Sequence, residues 1–206
     1  MIELYVSALI TFFVVIDPPG CAPIYAGLTA GASAAERRSM ALRAVFYASL
    51  ILLVFALFGG DLLRGLGIEL ASFRIAGGIM LFLIALEMVF ERRTQRREER
   101  AAEVAARGEA EDVSVFPMAM PMIAGPGSIA SVMLLMARNE GLQRSRVILA
   151  ALATILLLTL AALLAAGPIM RLLGARIEAV ITRLLGVLLA ALAVQFVIDG
   201  VQVGLR

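Results

Sequence analysis

Asp17-Pro18-Pro19-Gly20 interrupts an apolar stretch, Leu4 to Gly31, that is long enough to cross a membrane. Gly125-Pro126-Gly127-Ser128 interrupts a second such stretch about one hundred residues later. Asp17 lies thirteen residues beyond Leu4, about 20 Å at helical rise and near mid-bilayer. An ionised carboxylate at that depth costs about 2.5–3.5 kcal/mol. Pro18 and Pro19 supply no N–H, and Gly20 frees the chain to turn. Irregular backbone at membrane depth is tolerated only inside protein or beside a water-filled cavity. Asp17 therefore has three readings: it binds a cation or proton, it binds a substrate ammonium, or it caps the second half-helix.

The second interruption carries no acid, and Ala124 stands where Asp17 stands in the first. Ser128 and Ser131 supply hydroxyls, and the N–H groups after Pro126 form a positive helix end. A carboxylate fits that end and a cation fits Asp17. A zwitterionic amino acid, holding both groups, could bridge the two breaks. The opposing reading is that the prolines and glycines only let spans bend and pack closely. Gly77-Gly78 and Ala190-Ala191 read as close-packing positions, and Met118, Met120 and Met122 as apolar filler. Glu87 is expected to snorkel toward the interface, and Asp199, one turn from Gln195, to sit at a span edge.

These residues need a membrane scaffold. The 206-residue chain is 62% hydrophobic, above the usual share for a soluble domain. Six apolar segments are predicted, at about 3–29, 43–60, 73–91, 114–136, 146–167 and 181–201. A formal charge of +2, scattered along the chain, gives no footprint for nucleic acid. There is no His, so most zinc sites and the usual pH switch are excluded, and Cys21 alone cannot form a disulfide. No base stands beside Ser128, so an intramembrane enzyme is not expected, nor is a metal or cofactor.

The halves resemble each other. A shift of 107 places Pro19-Gly20 on Pro126-Gly127, and a shift of 109 places Arg74 on Arg183 and Gly77 on Gly186. Three spans per half is an odd number, so a duplication would be inverted. The predicted organisation is a first three-helix repeat over 1–90, a charged linker over 91–113 and a second repeat over 114–206. One face of the membrane would hold twelve Arg and the other six. The richer face, which includes the linker, should be cytoplasmic, with both termini outside. The linker reads as solvated and partly helical.

Asp17-Pro18-x-Gly20-x-x-Pro23 and Pro121-x-x-Ala124-Gly125-Pro126-Gly127 resemble the MarC family of bacterial inner-membrane proteins, and the match covers the chain. The resemblance implies six spans, a LysE-type arrangement of inverted units, and transport of small neutral amino acids as described for some relatives. The family's antibiotic-resistance name is poor evidence of drug efflux. The expected function is secondary transport of a small polar solute across the inner membrane, with protons or sodium as coupling ion. The expected site is Asp17, Pro19, Gly20, Gly125, Pro126, Gly127 and Ser128. The rivals are a non-transporting scaffold or regulator working through the linker, and an exporter of a cation or drug. Oligomeric state is not legible.

Overall fold

Long runs of Leu, Ala, Ile and Val with no water to bond their backbone must fold as helices. The computed structural model describes residues 1–92, 95, 96, 99, 112–139 and 141–205, with the backbone alone for 167–179. Most of the predicted linker over 91–113 lies outside the described residues.

Helix α1 (Ile2–Ile16) and helix α2 (Pro18–Leu28) meet at Asp17 and together form one 27-residue apolar span. Helix α3 (Ala34–Gly65) and helix α4 (Leu70–Val89) follow. The second half opens with an irregular coil, Ser114–Ile123, then α5 (Pro126–Arg138), α6 (Leu142–Leu164) and α7 (Ala166–Gly204). The coil and α5 are bent by 52° and make up one broken span. Within α7, Val180–Gly204 is the part apolar enough to cross. With that bent pair taken as one, the described residues hold six candidate spans.

Two elements outrun their apolar segments. Helix α3 begins nine residues before the predicted 43, because Ser33 and Glu36 form a reciprocal capping box that starts the helix among charged residues. Helix α7 runs for 39 residues, about 58 Å at helical rise and far more than a bilayer requires.

The burial pattern suits lipid rather than water. Helix α3 turns Ala41, Ala44, Ala48, Leu52 and Ala56 inward and leaves Phe46, Leu50, Leu53 and Leu57 exposed. Small residues on the inner face let helices approach closely, while large apolar ones face the acyl chains. The main core gathers Phe12, Ile16, Tyr25, Met118, Ile123 and Ile148.

Helices α4 and α7 form the most extensive pair. A Cβ added to Gly78 would lie 2.8 Å from the Ala193 carbonyl oxygen, one on Gly186 3.1 Å from that of Ala85, and one on Gly200 3.0 Å from that of Ala71. These matches run antiparallel. Small residues recur every seventh position on both helices: Ala71, Gly78 and Ala85 against Gly186, Ala193 and Gly200. A seven-residue repeat is what keeps a seam facing its partner. Gly77 is the other expected close-packing glycine, and it faces α5, where its Cβ would meet the Leu134 side chain at 2.8 Å. Ala191 is exposed and does not share in the seam, which passes through Ala193 instead.

Most of the remaining contacts also cross between the halves. Helices α1 and α2 pack on α6, while α3 packs on the irregular coil and on α5. Each half leans chiefly on the other rather than on itself.

Candidate functional site

The two breaks differ in construction. Asp17 takes a left-handed conformation, φ 59° and ψ 65°, which ends α1 and begins α2 in one residue. Its N–H donates to the Phe13 carbonyl at 3.0 Å, and its carbonyl accepts from the Cys21 N–H at 3.1 Å. Its Oδ1 accepts from the Gly20 N–H at 3.2 Å. That is an N-cap followed by prolines at the first helical positions, where a missing N–H does no harm. A Cβ on Gly20 would lie 2.3 Å from Asp17 Oδ2, so the carboxylate occupies the space that glycine leaves. Asp17 is 2% exposed.

The second break is longer. Phe116 and Met120 are extended ahead of Pro117 and Pro121, as pre-proline residues prefer. Wide-turn bonds bracket them: Met118 N–H to the Val113 carbonyl at 3.2 Å, and Ala124 N–H to the Ala119 carbonyl at 2.9 Å. A Cβ on Gly125 would stand 2.4 Å from the Pro121 carbonyl oxygen, so only glycine fits. Helix α5 then starts at Pro126 with no side-chain cap on Gly125. The Ile129 N–H is bonded to the Gly125 carbonyl at 3.0 Å, which leaves the Gly127 and Ser128 N–H groups as the open first turn.

That first turn faces a cavity of about 340 Å³. Val15, Leu83, Ile84, Pro121 and Met122 supply apolar walls, and Gly125, Pro126, Gly127 and Ser128 form one end. Glu87 and Arg96, which form an ion pair, stand at the mouth on the linker side. Ser128 is 3% exposed and lines the cavity. One turn on, the buried Ser131 hydroxyl has no hydrogen-bond partner among the described residues. Gly127 marks where three spans meet, since its Cβ would lie 2.6 Å from Ile84 Cδ1 and 3.3 Å from Val15 Cγ1.

Gly125, Pro126, Gly127 and Ser128 thus line one cavity together, whereas Asp17, Pro19 and Gly20 are not among its lining residues. Val15, two residues before Asp17, reaches the second break at Gly127. Glu87 is an addition: its nearness to the linker suggested a snorkelling residue, and only the fold shows that it shares a wall with Ile84. Asp199 is another. It lies beside Arg138 at 2.9 Å and accepts from Gln195 Nε2 at 2.7 Å, so it is a tie between α5 and α7 rather than a bare edge. Among the described residues no three His, Cys, Asp or Glu side chains cluster as metal ligands.

A further tie holds the start of the irregular coil. Arg43 pairs with Asp112 at 2.7 Å, and Asp112 Oδ1 accepts from the Ser114 N–H at 3.0 Å. Burial pulls the Asp112 carboxyl upward, but hydrogen bonding from Ser114 and the Arg43 guanidinium outweigh it and hold the group below its ordinary range.

The sequence matches the MarC family of integral membrane proteins over residues 2–205. It is 35% identical over 201 residues to a UPF0056 membrane protein of Methanocaldococcus jannaschii, covering 98% of this chain and 97% of the other. It is 34% identical to the UPF0056 membrane protein YvbG of Bacillus subtilis, over 98% and 96% of the two chains. It is 30% identical to the UPF0056 membrane protein YhcE of Escherichia coli, over 96% and 92%. No solved structure matches. With its apolar helices, its two Pro/Gly breaks and a full-length match to these relatives, the chain is a multi-pass membrane protein and belongs to the MarC family.

Proposed function

We propose that the protein is a secondary transporter of the inner membrane that moves a small solute bearing a carboxylate, with a neutral amino acid as the best fit. The observation that carries this is the first turn of α5. Its Gly127 and Ser128 N–H groups and the Ser128 side chain stand at the end of an apolar-walled cavity about 340 Å³ in volume. A positive helix end in a water-poor site favours an anionic group, and the walls suit a short aliphatic side chain.

The halves act as an inverted repeat in this reading, with the linker cytoplasmic and both termini outside. The packing supports it. Exchanging the halves turns the contact of the first span with the fifth into that of the fourth with the second, and both occur. Asp17, Pro19 and Gly20 shape the companion break, and Asp17 is the candidate carrier of a coupling proton at mid-membrane depth.

Uptake of labelled alanine and leucine into proteoliposomes tests the reading. A proton or sodium gradient should drive accumulation, and Gly127→Val, which pushes a side chain into Ile84 and Val15, should abolish it. Asn caps helices and tolerates the left-handed region as Asp does, so Asp17→Asn should keep the fold while losing gradient-driven accumulation. Absence of uptake and of counterflow for every neutral amino acid would reject the proposal.

A further inference from the structure

The cavity has a second charged end that the break motifs do not announce. Glu87 lines it on α4, one turn beyond Ile84. Ile84 Cδ1 reaches to 2.6 Å of where a Gly127 Cβ would stand, so this wall lies against the first turn of α5. Side chains three apart on a helix share a face with Cβ atoms about 5–6 Å apart. Glu87 therefore shares a wall with Ile84, whose tip lies against the turn that carries the open N–H groups.

The Glu87 carboxylate is 28% exposed and pairs with Arg96, whose side chain is 59% exposed. A pair with one partner this wet exchanges readily, because an exposed guanidinium gains little by staying. Among the described residues no other acid lines the cavity, and Asp17 is not in its wall.

Resting on the reading of a carboxylate-binding cavity, we propose that Glu87 holds the ammonium group of the solute, and that the ammonium displaces Arg96 when it binds. The site would then take zwitterions. The carboxylate sits at Gly127 and Ser128, the ammonium sits at Glu87, and the aliphatic side chain lies along Val15, Leu83 and Met122. Arg96 neutralises the empty site and keeps a bare carboxylate from facing an apolar wall. Asp17 takes no part in holding the ammonium.

Leucine and its des-amino analogue, 4-methylpentanoate, separate the two ends. Binding of each is measured by calorimetry on the purified full-length protein in nanodiscs. Wild type should bind leucine more tightly than 4-methylpentanoate. Glu87→Gln should weaken leucine about tenfold, the scale of one charge-assisted hydrogen bond, and leave 4-methylpentanoate within about twofold. Arg96→Gln, which removes the competitor, should tighten leucine alone. Retained 4-methylpentanoate binding also shows that the Glu87→Gln site is folded. Unchanged leucine binding in Glu87→Gln, or equal loss of both probes, would overturn the role of Glu87 while leaving the carboxylate site standing. If wild type binds neither probe, the cavity reading falls and this inference with it.

Discussion

At the scale of single residues, the pair Asp17 and Gly20 shows how a carboxylate is kept inside a membrane span. The left-handed turn at Asp17 frees the Gly20 N–H, the carboxylate accepts it, and the absent Cβ makes the room. Gly20→Ala would drive a methyl into Asp17 Oδ2, an overpacking worth about 1–3 kcal/mol. We expect a lower melting temperature in detergent for Gly20→Ala. Adding Asp17→Gly, which keeps the left-handed turn at little cost, should win part of it back, because the clash lies with that side chain. If the double variant melts below both single ones, the clash is not what makes glycine necessary there.

Between elements, two ion pairs sit at opposite ends of the broken span. Glu87 and Arg96 stand where the cavity opens toward the linker, while Arg138 and Asp199 pin the far end of α5 to α7. The Asp199 side chain is 16% exposed, so this pair is less screened than a surface bridge. In SDS-titrated unfolding, Arg138→Gln and Asp199→Asn should therefore combine non-additively, with a coupling of about 0.5–1.5 kcal/mol. Additivity within about 0.3 kcal/mol would remove the idea that the pair closes this end. Much at this scale was legible in the sequence. Apolar runs mark all six spans, and Pro/Gly clusters mark the two that break. The start of α3 was missed because charged residues in a capped first turn do not look like membrane helix. The Arg138 and Asp199 tie was missed because 61 residues separate them in the chain. The seven-residue spacing of Ala71, Gly78 and Ala85 was present but hidden among other alanines.

For the whole molecule, interleaving of the halves bears on how it could move. A half whose spans pack mainly on the other half cannot rock as a rigid body. The glycine seam makes α4 and α7, one helix from each half, the natural moving or fixed unit. A Cβ on Gly204 would lie 3.6 Å from that of Ala71, within disulfide range. In a Cys21→Ala background, oxidising the Ala71→Cys/Gly204→Cys pair should leave the proposed uptake at about the reduced level. Loss of uptake on oxidation, restored by reductant, would show that these helices part during the cycle.

The same seam constrains how the protein is made. Helix α4 leaves the ribosome about one hundred residues before its partner in α7. At ~5–20 residues per second the wait is about 5–20 s. Through that interval Gly78 and its neighbours have only lipid against a face shaped for another helix. Final assembly must therefore follow insertion of the last span, and a chain cut short after its third span would carry an unmated surface for the cell's quality control to find.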